Sequence, residues 1–146
     1  MDQKTYFYRS DGKLKRIDLD SILHIKASDN YVRVYQIETL EKLARIESLI
    51  DLDDQEKIDE LIPQLEKVHL IRATLKDVMK KLPGHSFVQI HRSFAVAVKY
   101  VGTIEKEMLF FQGTAKFGLP ISKQYYESLI RKIEILGPSM PEKENV

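Results

Sequence analysis

Side chains that could hold a metal ion or catalyse a reaction are few in this sequence, and their spacing suits neither role. The chain has four histidines and no cysteine, which excludes disulfides, thiolate nucleophiles and cysteine-ligated zinc. The histidines are His24, His69, His85 and His91. They lack the spacing and the companion carboxylates of a metal site, and no glycine-rich phosphate-binding motif or GxSxG motif is present. The sequence therefore predicts a protein that is not an enzyme and needs no metal or cofactor.

Arg92 stands out because the residues two positions before and after it are apolar. The run Phe87–Val98 reads as a strand, and Arg92 has the same parity as its large apolar residues. Those residues are Val88, Ile90, Phe94, Val96 and Val98. A guanidinium is costly to bury without a partner, so we expect the chain to bulge or loop at residues 91–93 and to direct Arg92 outward.

The charge of the chain is divided between two regions. The net charge is +1, but residues 36–69 contain ten acids and four bases, a formal charge of −6, and the remainder carries +7. A basic body suits a polyanionic partner such as nucleic acid. No apolar run approaches the roughly 18 residues of a membrane span, and the N-terminus has no export signal. These features predict a cytoplasmic protein.

Two pairs of strands are predicted in the first 37 residues. Asp11–Gly12 separates the runs Thr5–Arg9 and Leu14–Asp18, and an Asp-Gly pair is a strong hairpin signal because glycine tolerates a positive φ. The second pair is Ile22–Ala27 and Tyr31–Ile37, joined by a polar turn at residues 28–30. In the last of these strands one face is aliphatic, and the other carries Tyr31, Arg33 and Tyr35.

The acidic region has the periodicity of two amphipathic helices. Its apolar residues form two helical stripes, Leu40, Leu43, Ile46 and Ile50, then Ile58, Leu61, Ile62 and Leu65. Residues 51–54, with their adjacent Asp53–Asp54, suit a helix cap better than acid–base catalysis, and Pro63 should kink or end the second helix. We predict a helical hairpin at about residues 38–67. It is inserted in a single domain of residues 1–136, which a flexible tail follows at 137–146.

Short strands and two helices are predicted after this insert. Val68–Arg72 is β-like, and Thr74 begins a capping box for a helix that ends at Leu82. Further strands are predicted at Val101–Ile104, Met108–Gln112 and Lys116–Leu119. Ser122 is expected to cap a last helix with an inner face of Tyr126, Leu129, Ile130 and Ile133. The sequence has no helix-turn-helix signature, because two consecutive short helices with a glycine-containing turn are hard to place among these strands.

Four blocks of the sequence resemble the LytTR family, the DNA-binding output domains of bacterial response regulators. They are SDGKLKRIDLDSILHIKASDNYVRVY (Ser10 to Tyr35), LIRATLKDVMKKLP (Leu70 to Pro83), FVQIHRSFAVAVKYV (Phe87 to Val101) and LPISKQYYESL (Leu119 to Leu129). Their order and spacing fit the family once residues of about 36–69 are set aside. The resemblance implies a mainly β fold with short helices (α+β), built from elongated small antiparallel sheets, to which the helical hairpin is added.

The resemblance also implies how double-stranded DNA is bound. Members of the family place side chains from neighbouring loops in successive major grooves. By matching position, the readers would be Asn30, Tyr31, Arg92 and Lys123. Arg92 can donate to guanine O6 and N7, and Lys123 can reach a base or a phosphate. The candidate DNA-binding set also includes His91, Ser93 and Lys99, and further candidates to neutralise phosphates are Lys13, Lys15, Lys26 and Arg33.

Each reader also has a structural interpretation that the sequence leaves open. Arg92 could pair with a carboxylate at a sheet edge, and Lys123 could be an ordinary lysine in the first turn of a helix. Asn30 is favoured in a turn whether or not it binds DNA, and His91 and Ser93 could both have structural roles.

The sequence departs from the family pattern in three places. Gln89 stands where an arginine is common, which removes a possible phosphate contact, and Ala97 stands where an asparagine is expected. The acidic insert is the largest departure. It could cap a sheet, form a homodimer, dock a protein partner or weaken DNA binding, and we favour the first two roles.

These observations predict a bacterial transcription regulator, or its output domain, that binds promoter DNA and does not enter a membrane. Family members usually carry a receiver domain before this one. The 146 residues contain none, so we expect either a fragment or a different mode of regulation. The alternatives are a protein-interaction module that uses the acidic hairpin, and an RNA-binding protein.

Overall fold

The computed structural model describes residues 5–48, 68–114 and 117–138. These residues form three antiparallel sheets and three short α-helices, so the predicted α+β class is confirmed. The strands are β1 (Thr5–Ser10), β2 (Lys13–Asp18), β3 (Ile22–Ser28), β4 (Tyr31–Gln36), β5 (His69–Ile71), β6 (Phe87–His91), β7 (Phe94–Ala97), β8 (Val101–Ile104), β9 (Met108–Phe111) and β10 (Gly118–Pro120). The helices are α1 (Ile37–Glu47), α2 (Leu75–Lys81) and α3 (Lys123–Arg131).

The N-terminal hairpin forms where the Asp-Gly pair predicts it. Strand β1 pairs with β2 from Thr5 to Ser10, and Asp11 and Gly12 adopt φ values of 53° and 74°. Positive φ at both central residues is the signature of a type I′ turn, whose twist matches that of the strands.

A five-stranded sheet with the order β5-β4-β3-β7-β6 separates two hydrophobic cores. The first core contains Ile17 of β2, Ile25 of β3 and Leu75 of α2. The second core contains residues of α1, the three-stranded sheet β10-β9-β8 and α3, together with Val96 of the central sheet; they include Leu40, Leu109 and Leu129. Both faces of the sheet are therefore covered, in contrast to an antiparallel sheet that leaves one face in water.

The polar and aromatic face of β4 is partly buried as a result. Tyr35 is only 3% exposed. Its ring stacks on that of His24 at a centroid distance of 4.4 Å, and Phe111 of β9 lies 5.6 Å from the same histidine. Periodicity along one strand does not predict this burial, because the covering elements come from distant parts of the sequence.

The first half of the predicted insert is a helix. In α1, Leu40 and Leu43 are buried and Ile46 is half-buried, as the first apolar stripe predicts. Ile50, the whole second stripe and Pro63 lie outside the described residues, so the second half of the hairpin stays a prediction. The chain returns to the sheet as β5, which pairs with β4.

The two later helices begin at the predicted residues, but only one has a side-chain cap. The Thr74 hydroxyl accepts a hydrogen bond from the backbone N–H of Asp77 at 3.1 Å. Ser122 is the N-cap residue of α3, as predicted, but its side chain forms no capping hydrogen bond. Its backbone instead joins the helix to the sheet, because its N–H donates to the Ile90 carbonyl at 2.9 Å. None of the described helices is long and apolar enough to cross a membrane.

Candidate functional site

Two turns lie together at one end of the five-stranded sheet. Strand β3 runs antiparallel to both β4 and β7, so the β3–β4 turn and the β6–β7 turn face the same direction. A hydrogen bond near this end joins β3 to the β6–β7 turn, because the backbone N–H of Ala27, the second-last residue of β3, donates to the Ser93 carbonyl at 2.8 Å. The turn that carries Asn30 and the turn that carries Arg92 are thus neighbours.

The start of α3 completes this end of the sheet. The bond from Ser122 to Ile90 places Lys123 beside the last residues of β6. The structure therefore brings together the four residues that the family resemblance implies as readers. We call this region, defined by Asn30, Tyr31, Arg92 and Lys123, the open end of the sheet.

The four side chains of the open end are exposed, and Tyr31 is 39% exposed. None of them forms a hydrogen bond or an ion pair with a side chain or backbone group in the described part of the protein. The sheet-edge carboxylate considered for Arg92 is absent from those residues. An amide, a phenol, a guanidinium and an ammonium group are thus available to a partner.

His91 and Ser93 are engaged within the β6–β7 turn. The Nδ1 atom of His91 accepts a hydrogen bond from the backbone N–H of Ser93 at 3.1 Å, and its ring lies 5.6 Å from that of Phe94. When the imidazole is neutral, its proton is therefore on Nε2. These contacts agree with the structural interpretation of both residues.

Lys99 lies at the opposite end of the sheet, after β7, and is not brought to the other candidates. Its Nζ atom is 3.0 Å from the Asp20 carboxylate and 5.1 Å from the centroid of the Tyr100 ring. The hydrogen bond with Asp20 raises the pKa of Lys99. We call this region, defined by Lys99, Asp20 and Tyr100, the closed end of the sheet.

The other basic candidates lie in two places, near the open end and on the N-terminal hairpin. Lys26 and Arg33 are cross-strand partners, two residue pairs inside the pair Ser28–Tyr31 that closes the β3–β4 turn. Like charges directly opposite one another destabilise a sheet, so this pair favours binding of an anion. Lys13 and Lys15 lie on the N-terminal hairpin instead.

Arg72 also belongs to the open end, and the sequence analysis did not single it out. Ile71 pairs with Val32, so Arg72 emerges next to the β3–β4 turn. It is exposed and has no side-chain partner among the described residues. Its position at the end of the predicted strand Val68–Arg72 is visible in the sequence, but the neighbour of that strand in the sheet is not.

The described residues contain no cluster of three or more histidines and carboxylates that could hold a metal ion. The acidic residue of the two turns is Asp29, whose φ of 55° places it in the left-handed region. The open end therefore carries hydrogen-bonding groups and, apart from Asp29, positive charge.

Comparison with known proteins identifies relatives of the sequence and of the fold. The family model of the LytTr DNA-binding domain matches residues 54–134. This range includes three of the four blocks noted above and leaves out Ser10 to Tyr35. No curated protein matches the chain.

The fold itself is similar to a solved structure across nearly the whole chain. That structure is the "LytTr DNA-binding domain of putative methyl-accepting/DNA response regulator from Bacillus cereus". The TM-score is 0.59 at 15% sequence identity, with 90% of this chain and 97% of the other covered. The similarity therefore extends over strands that the sequence match leaves out.

Proposed function

This chain belongs to the LytTR family of DNA-binding domains, and we propose that its open end binds double-stranded DNA with sequence specificity, through turns that enter the major groove. The observation that supports this most directly is the meeting of Asn30, Tyr31, Arg92 and Lys123, all exposed, at one end of one sheet. A bacterial transcription regulator, or its output domain, is the role that follows.

Arg92 is the proposed base-reading residue. It occupies the tip of a two-residue turn and has no carboxylate partner among the described residues. A guanidinium can donate two parallel hydrogen bonds to guanine O6 and N7, the commonest specific contact in the major groove. Asn30 and Tyr31, in the adjacent turn, are proposed to contact base edges or the sugar-phosphate backbone.

The remaining cations of the open end are proposed to bind phosphates. The two turns are two strand spacings apart, about 10 Å, and a major groove is about 12 Å wide. With Arg92 against the bases, Arg72 on one side and Lys123 on the other can reach the flanking backbone. Phosphate contacts of this kind set the register of a protein on DNA, and base contacts choose the sequence.

Selection of bound sequences from a random duplex library tests the proposal. We expect one sequence class to be enriched, and its affinity to fall with salt at a log–log slope of about −0.9 for each phosphate neutralised. No enrichment, together with an affinity that salt leaves unchanged, would contradict sequence-specific DNA binding. Preferential binding of a structured RNA in competition would favour the RNA-binding alternative.

A further inference from the structure

The turn that carries Arg92 lacks the backbone geometry that usually closes a two-residue hairpin. Arg92 and Ser93 form the whole connection, because His91 pairs with Phe94. Hairpins of this length favour turns with a positive φ at the first central residue. In the described part of the chain, positive φ at residues other than glycine occurs only at Asp11 and Asp29. The Arg92 turn therefore depends on other support.

Gln89 provides side-chain support from within β6. Its Nε2 atom lies 3.1 Å from the carbonyl oxygen of His91 and 3.5 Å from that of Arg92. Both neighbours are carbonyls, which only accept, so the amide nitrogen must face them. The register of β6 against β7 also shifts between Gln89 and His91, and this bulge separates the two residues by one extra position.

The same turn is held on its other side by two hydrogen bonds of the Ser93 backbone. The Ser93 N–H donates to His91 Nδ1 at 3.1 Å, and the Ser93 carbonyl accepts from Ala27. The Gln89 side chain donates to the carbonyls of His91 and Arg92. These carbonyls belong to the two peptide groups on either side of the Arg92 Cα atom. The direction in which the Arg92 side chain leaves the backbone depends on those two peptide groups.

We propose that Gln89 is a positioning residue that fixes the turn in the conformation from which Arg92 reads a base. This inference depends on the proposed DNA-binding function and adds to it a residue that does not touch DNA. A guanidinium on a preformed turn loses less conformational freedom on binding than one on a mobile turn. Gln89 therefore contributes to discrimination between sequences and not to general affinity for phosphates.

The test compares Gln89→Met with Gln112→Met in the full chain. Methionine has nearly the shape of glutamine and no N–H donor. Gln112 is a matched control because its amide donates to a backbone carbonyl, that of Lys99, at 3.1 Å and at the closed end. Affinities are measured for the selected duplex and for a random-sequence duplex of equal length. Thermal unfolding and ¹⁵N relaxation of the turn amides are measured on the free proteins.

We expect Gln89→Met to weaken binding of the selected duplex about threefold to tenfold, the change that loss of one net hydrogen bond produces. The random duplex should be bound as before, and Gln112→Met should change neither affinity. The order parameter of the Ser93 amide should fall in Gln89→Met alone. In an Arg92→Ala background, Gln89→Met should have no further effect, because the residue that it positions is gone.

Three results would overturn the proposal. They are an unchanged preference for the selected duplex in Gln89→Met, an equal loss on both duplexes, and an undiminished effect of the substitution in the Arg92→Ala background. A wild-type protein without preference for any duplex would contradict the proposed sequence-specific DNA binding itself. The role of Gln89 would then not arise.

Discussion

The two ends of the five-stranded sheet both carry basic side chains, but among the described residues only those of the closed end form ion pairs or hydrogen bonds. At the closed end, Lys99 pairs with Asp20, whose carbonyl also accepts from the Tyr100 hydroxyl, and Lys132 donates to the Gly84 carbonyl at 2.6 Å. At the open end, Arg92 and Lys123 have no such partner among the described residues. A basic residue that has its partner within the fold serves the structure, whereas one without a partner is available for an external anion.

The largest predicted effect is a loss of folding stability at acidic pH, which affects both ends of the sheet equally. His24 lies between them and is buried, and burial, with a smaller contribution from Lys26, lowers its pKa from 6.5 to about 3. The unfolded chain therefore binds a proton below about pH 6.5 that the folded chain binds only near pH 3. Stability should fall across this interval, by about 2–3 kcal/mol at pH 4.5 relative to pH 7.

His24→Phe isolates this contribution, because phenylalanine keeps an aromatic ring against Tyr35 and cannot titrate. Urea unfolding of both proteins at pH 7 and pH 4.5 measures the difference. The wild-type protein should lose more stability than the variant on acidification. An identical pH dependence in the two proteins would show that His24 is protonated without cost in the folded state.

The second effect belongs to the open end alone. Arg92→Ala should weaken binding of the selected duplex by about 1–3 kcal/mol, the discrimination that a bidentate contact provides. Binding of random DNA and the free energy of unfolding should change little, since Arg92 is exposed. Equal losses on both duplexes would make Arg92 a phosphate contact and not a base reader.

A smaller effect is expected at the edge of the open end. Arg72→Ala should weaken the selected and the random duplex alike, by about fivefold to tenfold at 0.1 M salt, and should reduce the salt slope by about 0.9. Titrations at several salt concentrations measure both quantities. An unchanged slope would place Arg72 outside the interface.

The smallest effect is expected at the closed end and provides the control for the other substitutions. Lys99→Ala removes an ion pair in which both side chains are about half exposed or more, so it should cost at most about 1 kcal/mol of stability. DNA affinity and its salt slope should match those of the wild-type protein. A loss of affinity as large as that of Arg72→Ala would remove the distinction between the two ends.

The sequence predicts those parts of the structure that local chemistry determines. The Asp11–Gly12 hairpin and the Thr74 cap each depend on residues within a few positions of one another, and the parity of Arg92 requires a break in its strand. The pairing of Lys99 with Asp20 joins residues 79 positions apart, and the placement of Arg72 depends on the order of strands. No local pattern contains that information.

The hydrogen bond from Ala27 to Ser93 has a consequence for the kind of target that the open end can accept. It joins the last residues of β3 to the β6–β7 turn through main-chain atoms, so the β6–β7 turn cannot be displaced along a duplex without β3 and the β3–β4 turn that follows it. Replacing one contacted base removes the contacts of a single side chain. Inserting a base pair between two contacted positions moves all the bases and phosphates on one side of the insertion by about 3.4 Å. Two turns that are held in a fixed relative position cannot adjust to this displacement. Spacing within the target should therefore tolerate less variation than base identity.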